Sequence, residues 1–351
     1  MSGQYLLSKL RSVMITLLVL LWAGVLWGQG NSETALQWAK EVQERHTPDL
    51  LGVSGVVGTA IGSGQGAQPV VLVLLEYGGI KGLPGSLEGI PVRPMVTGRI
   101  YALGKPTGTP GGGHGGGDSG PSLDPTSLWP RPVPIGVSTG HPAITAGTIS
   151  CRITDGHNTF VLSNNHVYAH ENLASLGDAV IQPGTYDGGI SPDDNIGTLY
   201  DFEPIDFSAS ANNEIDAAIA LTSTDDVGNA TPSDGYGMPK SQVAVPVLNM
   251  PVKKYGRTTG LTKGKIYALN ATVDIGYSTG TAHFVHQIII TPGSFSAGGD
   301  SGSLVVGDSK GKNKTDDRKP VGLLFAGSSV VTIANPIDAV MNRFGVVIDG
   351  E

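Results

Sequence analysis

Cysteine occurs once in 351 residues, at Cys151, and charged side chains make up only 15%. One thiol excludes an internal disulfide framework and any zinc site built on cysteines. Lys and Arg total 22 against 30 acidic residues, for a formal net charge of −8, and the sequence holds no basic cluster. A nucleic-acid partner is therefore excluded, because neutralising phosphates requires Lys and Arg gathered on one face. There is no Walker phosphate loop, and the GSGQG around Ser63 lacks the strand, helix and distal acid of a dinucleotide fingerprint. No cofactor is implied.

What is abundant is glycine, with 52 residues, and proline, with 23. The glycines follow no three-residue period, which excludes collagen, and 39% hydrophobic residues with so little charge exclude a disordered chain. The balance points to a turn-rich, mostly β protein.

Lys9 and Arg11 precede an apolar run from Val13 to Trp27, followed by Gly28 and Gly30. A cationic start before such a run reads as an export signal over 1–30. The run falls short of the roughly 20 residues of a spanning helix, but no Ala-x-Ala site follows it, so a retained membrane anchor is the alternative. Any membrane contact is expected only there. The expected location is extracellular or periplasmic, or membrane-anchored if the segment stays.

Residues 31–103 read as a small α+β domain. Leu36, Ala39 and Val42 fall on one helical face behind Ser32 as cap, and extended stretches start at Gly55, Pro69 and Ile90. Residues 104–134 are rich in Gly and Pro and read as a linker. Its GDSG at 117–120 is discounted, since a serine in such a tract has no rigid frame. From 135 to 351, short apolar runs are separated by Gly, Asn and Asp turns, as in a barrel or sandwich.

Three segments of this last region carry chemistry together: LSNNHVYA with His166, NEIDAAIAL with Asp216, and SAGGDSGSLVV with Ser301. A serine hydroxyl is a weak nucleophile near neutral pH, so an imidazole must take its proton during attack. A carboxylate on the other ring nitrogen fixes the tautomer and stabilises the imidazolium. His166, Asp216 and Ser301 can fill those roles. The turn before the serine is glycine-rich, so the N–H groups of Gly299 and Ser301 can face a developing oxyanion.

These motifs, in the order His, Asp, Ser and with VGLLFAG and a terminal helix behind them, resemble the chymotrypsin-like (trypsin-like) serine peptidases over about 135–345. YGRTTGLTKGKI from Tyr255 is similar to a strand motif of the bacterial α-lytic branch, and Ser303 in GDSGS is shared with plant and bacterial trypsin-like proteins. The resemblance implies an all-β catalytic domain of two six-stranded β-barrels, joined here to the small N-terminal α+β domain. It implies an ion pair between Arg257 and Asp300 that forms the oxyanion loop. It also places Phe295 at the base of a specificity pocket with Phe325, Ala326 and Gly327 along one wall. No carboxylate stands at that base, so a small or apolar residue before the scissile bond is expected, in a polypeptide substrate.

Other candidates carry less. His283 and His286 fall on opposite faces of a strand, Cys151 sits in an apolar strand as a small hydrophobe, and His114 and His170 have no partners in the pattern. The turn with Asp187, Asp193, Asp194 and Asn195 could offer oxygens to calcium but matches no known loop, so no metal is expected. The reading from sequence is a serine endopeptidase. Its alternatives are a non-catalytic binding protein on the same scaffold and an esterase with a shallower pocket. The N-terminal region could be a pro-region, an inhibitor or a recognition module.

Overall fold

The computed structural model describes residues 33–104, 123–309 and 315–351. The signal or anchor expected at 1–30, His114 and the GDSG of 117–120 lie outside the described residues.

The apolar runs form strands because Gly, Asn and Asp interrupt them before a helix could nucleate. Six of these strands, Pro251–Gly256, Gly260–Gly276, Thr281–Thr291, Leu304–Gly307, Pro320–Gly327 and Thr332–Pro336, close on themselves. Pro251–Gly256 pairs with both Leu304–Gly307 and Gly260–Gly276, which completes the ring. Closure pairs these strands around the ring, while the ends of Gly260–Gly276 and Pro320–Gly327 keep edges on which further strands pair.

The other six-stranded sheet, the first barrel in chain order, runs as Ala179–Ile181, Asn195–Phe202, Ala218–Thr222, Thr159–Ser163, Arg152–Thr154 and Val347–Ile348, and the closed ring above is the second barrel. A two-stranded ribbon, Ser138–Thr139 with Gly147–Thr148, meets its edge through the Gly140–Ile181 bridge. Ile149, Phe160, Leu162 and Val180 fill its core. Helix Ile337–Phe344 leaves the closed barrel and buries Val340 and Met341 in this other core, after which Val347–Ile348 pairs with Arg152–Thr154. The double barrel expected from the sequence is present.

The N-terminal unit is α+β, with a helix over 33–51 and strands Val56–Ser63, Pro69–Leu75 and Ile90–Val96. It is not a separate body on a tether. Val56–Ser63 pairs antiparallel with Gly260–Gly276, at Gly58 with Val273 and Thr59 with Thr272, so one sheet runs through both units. The reason is visible in PVVLVLL, an unbroken apolar strand of the kind that needs cover on both faces. Val71, Val73 and Leu75 pack with Ala39 and Val42 of the helix, while Val70, Leu72 and Leu74 pack with Phe284 and Ile289 of the barrel. Each such buried side chain is worth roughly 1.5–3 kcal/mol.

The linker also differs from expectation at its C-terminal end. Trp129 and Val133 pack on the first-barrel core, and the Trp129 amide donates to Gln182. With these contacts, the Val133 amide, donating to Asp226 O, and Arg131, paired with Asp226, lay residues 123–134 along the barrel surface.

Candidate active site

His166 lies on the short helix Asn165–Tyr168, directly after strand Thr159–Ser163. Asp216 lies just before Ala218–Thr222, and pairing of Ala218 with Ser163 brings the two together. The His166 Nδ1 to Asp216 Oδ2 distance is 2.6 Å, and the His166 backbone amide donates to Asp216 Oδ1 at 3.2 Å. Both residues are buried. A carboxylate here only accepts, so Nδ1 carries the proton and Nε2 is left as an acceptor. Nε2 is itself buried, with no hydrogen-bond partner among the described residues.

The groups that hold Asp216 carry no mark in the sequence pattern. Asn335 accepts its backbone amide, Asn164 donates to its carbonyl at 2.7 Å, and Tyr277 donates its hydroxyl to Oδ2 at 2.8 Å. Burial, then the neighbouring Asp216 charge, raises the Tyr277 pKa well above its ordinary value, so the hydroxyl remains a donor. No local motif marks Tyr277, which reaches the site from the hairpin of the other barrel.

Ser301 stands in a turn whose Gly299 and Gly302 adopt φ of 97° and 94°, a region glycine enters without strain. A Cβ on Gly302 would stand 2.2 Å from both Ser163 Oγ and the Thr148 carbonyl. Thr148 ties the turn to the first barrel, its amide donating to Ser301 O at 2.7 Å and its hydroxyl to Gly299 O at 2.9 Å. Ser301 Oγ donates to the Phe325 carbonyl at 3.1 Å rather than to His166.

The expected Arg257–Asp300 pair does not form. Arg257 turns to Asp187, donating through Nε at 2.8 Å and also through Nη2, and it stacks on Tyr186. Asp300 is held by Lys254 at 3.3 Å, by the amides of Thr258, Thr259 and Ala297, and by the Thr259 hydroxyl. Lys254 also donates to Thr259 Oγ1 and to the Gly260 carbonyl. Burial lowers the Lys254 pKa, against the opposing pull of Asp300. A signal for this was available: in a strand, adjacent Lys253 and Lys254 must face opposite ways, so one of them has to point inward. A Cβ on Gly256 would stand 2.6 Å from Asp300 Oδ1, so the carboxylate packs against bare backbone. The same arginine engages Asp187, one of the oxygen donors of the Asp-rich turn.

Strand Ile100–Ala102 and the two residues after it lie across this site. Ala102 pairs with Ala326 and Tyr101 with Gly327, antiparallel, while Ile100 pairs parallel with Ile275. The Leu103 amide donates to Phe325 O at 3.0 Å, and the Gly299 amide donates to Leu103 O at 2.6 Å. Thr145 Oγ1 donates to the Gly104 carbonyl at 2.5 Å. A Cβ on Gly104 would stand 3.1 Å from His166 Cδ2 and 3.6 Å from Nε2, so this peptide rests on the imidazole. Ser301 is fully buried.

The pocket residues divide. Leu103 packs on the apolar cluster that includes Phe295, and its Cδ1 lies 3.4 Å from where a Cβ on Gly327 would stand. Ala326 and Gly327 contribute a strand edge. Phe325 is no wall: its ring packs in another core, 4.9 Å from that of Phe284, and only its carbonyl faces the cleft. Ala326 lies in that same core, and the strand's register shifts between Leu324 and Ala326, so simple alternation does not place the Phe325 ring on the pocket side. Beyond Gly104 a cleft of about 450 Å³ continues, lined by His166, Tyr277 and Glu171. Taken together, these groups can hold a peptide as a strand, hydrogen-bond its carbonyl oxygen and offer an imidazole to the next residue.

No family model and no curated protein matches the chain. Among solved structures it is similar to protease A of Thermobifida fusca, at 18% identity over 62% of this chain and 100% of that one, with a TM-score of 0.44. A Nocardiopsis protease matches at 17% identity over 62% and 99%, with a TM-score of 0.42. An α-lytic protease homologue, N4, matches at 15% over 61% and 99%, also with a TM-score of 0.42.

Proposed function

We propose that the chain is a serine endopeptidase acting through Ser301, His166 and Asp216. The observation that carries this reading is the buried His166–Asp216 pair, whose Nε2 is unpartnered and lies against a peptide that the Gly299 amide hydrogen-bonds. In the proposed reaction Ser301 Oγ attacks the carbonyl carbon while His166 Nε2 takes its proton, and Asp216 stabilises the imidazolium. The oxyanion is received by the N–H groups of Gly299 and Ser301, each such donor worth about 3 kcal/mol in the transition state. His166 then protonates the departing amine, and water, activated by the same imidazole, releases the acyl group. The Phe295 cluster favours a small or apolar residue before the scissile bond. The basic start and apolar run of residues 9–27 support export.

One observation favours the second reading, a binding protein on this scaffold: the Ser301 hydroxyl bonds to Phe325 O and not to His166. Rotation about χ1 moves that hydroxyl between staggered wells, and catalytic hydrogen bonds often tighten only when substrate binds. A fluorophosphonate probe separates the readings. Labelling of wild type or of Leu103→Asp, which loosens the segment across the cleft, that is lost when Ser301→Ala or His166→Ala is added supports the peptidase; wild type and Leu103→Asp both inert to the probe, with no hydrolysis of peptide libraries, support the scaffold.

A further inference from the structure

Just after the helix that carries His166, three successive residues, none of them glycine, sit in the left-handed region: His170, Glu171 and Asn172, at φ of 48°, 52° and 72°. Side chains enter that region rarely, and a run of three persists only where the surroundings impose it. Here Asn172 is clamped, its amide donating to Asn165 Oδ1 at 3.1 Å and its Nδ2 to the Ile205 carbonyl at 2.8 Å. The bend carries the Glu171 carboxylate across to the hairpin of the other barrel. Its Oε2 accepts from the Ser278 hydroxyl and from the amide and hydroxyl of Thr279, at 2.7–2.9 Å. Oε1 accepts only the Ser278 amide among the described residues, at 3.2 Å. A carboxylate oxygen offers two lone pairs, so Oε1 keeps one for another donor.

Glu171 lines the cleft of about 450 Å³ together with His166, His170, Tyr277 and Ser278. Among the described residues that line it, Glu171 is the one carboxylate, and there is no Lys or Arg. The Tyr277 hydroxyl already donates to Asp216, and the His170 ring stacks on His141. Ala102 faces this cleft while Leu103 packs on the Phe295 cluster, as neighbours in a strand must turn opposite ways. A substrate strand paired on Ala326 and Gly327 in the same register therefore turns its second residue before the scissile bond into space that the Ala102 methyl leaves open. We infer that Glu171 selects lysine or arginine at that second position, beside the apolar residue taken by the Phe295 pocket. This rests on the serine-peptidase reading above. The aliphatic stem can lie along the His166 and Tyr277 rings while the cationic end reaches Oε1. Burial raises the Glu171 pKa, but the bonds from Thr279 and Ser278 outweigh it, so the group is an anion in neutral solution. Those same bonds fix the carboxylate in advance, and little ordering is left for a guest cation to impose.

The test measures kcat/KM on four peptides that share leucine before the scissile bond and differ in the preceding residue: Lys, Gln, Glu or Ala. It uses the full-length protein, as Leu103→Asp where wild type is masked. Lysine is expected to exceed glutamine about tenfold, with glutamate last, and the lysine-to-glutamine ratio to shrink as salt is raised. Glu171→Gln is expected to bring that ratio close to one, and Glu171→Asp to restore part of it. If Glu171 only braces the hairpin that carries Tyr277, Glu171→Gln lowers all four rates alike and leaves the ratio as it was, which overturns the inference. So does a ratio near one before any substitution at 171, a measurement that stands even if the Glu171 variants misfold. An enzyme labelled at Ser301 by a fluorophosphonate that shows no lysine preference, or cuts none of the four, leaves the peptidase reading standing without the inference. If neither wild type nor Leu103→Asp is labelled or cuts any peptide, both fall.

Discussion

The two barrels contribute to the cleft in different currencies of structure. The first supplies side chains: His166 and Asp216, fixed by strand pairing and steadied by Tyr277 from across the cleft. The second supplies, besides the Ser301 hydroxyl, mostly backbone: the Gly299 amide, the Phe325 carbonyl and the edge at Ala326 and Gly327. Groups of the first kind can be broken by a substitution that changes one atom. Groups of the second kind survive most side-chain changes and fail only when the loop that carries them moves.

Asp216→Asn is the sharpest probe of the first barrel. It keeps shape but presents an amide to Nδ1, favouring the wrong imidazole tautomer, and turnover on a peptide substrate is expected to drop about 10⁴-fold with little change in melting temperature. An Asp216→Asn enzyme retaining a tenth of its activity would show that the side-chain relay is dispensable.

For the second barrel the corresponding probe is Lys254→Met, which leaves the Asp300 carboxylate buried without its ion-pair partner. Denaturant unfolding is expected to show a loss of about 3–5 kcal/mol, and labelling of Ser301 should disappear as the oxyanion loop shifts. Arg257→Met strips Asp187 instead. It is expected to lower stability while leaving Ser301 reactive, so a loss of labelling there with Lys254→Met harmless would reverse the assignment of the two pairs.

Tyr277→Phe tests the link between the barrels. Removing one hydrogen bond to a charged group is worth about 1.5–3 kcal/mol, and the expected result is a turnover number roughly tenfold or more lower with KM unchanged.

The smallest expected effect is at Glu171, whose carboxylate accepts from the amides and hydroxyls of Ser278 and Thr279 beside Tyr277. Burial raises its pKa, but the hydroxyl bonds from Thr279 and Ser278 and the two amides outweigh burial, and the net shift is downward. A lowered folded pKa gives stability that is present above the unfolded carboxylate value and lost as pH falls through the folded one. Acid titration of stability should therefore be shallower in Glu171→Gln than in wild type; identical slopes would remove Glu171 from the account.

The first barrel's contribution could be read in advance because it resides in residue identity. His166 after an apolar strand and Asp216 before another were legible that way, as was Ser301 behind glycines, the one reacting side chain that the second barrel supplies. The rest of the second barrel's contribution was legible only in its glycines, since an amide or carbonyl belongs to every residue. Phe325 shows the limit: its position next to the cleft was readable, yet which of its groups faced inward depended on a shift of register between Leu324 and Ala326 that no linear reading sets. The choice between Lys254 and Arg257 for Asp300 was of the same kind. Both are cations three residues apart, and the turn at Thr258–Gly260 decides which one points back.

The sequence by itself determined the mostly β character, through frequent turn residues and short apolar runs. It also determined the identity of the three chemical groups and the need of Pro69–Leu75 for cover on both faces. Only the tertiary structure decided what that cover is, which cation neutralises Asp300, and that residues 100–104 lie across Ser301. These are matters of which distant segments pair along a shared strand edge. Backbone hydrogen bonds between strands carry almost no residue code, so the partner is chosen by the geometry of the whole sheet.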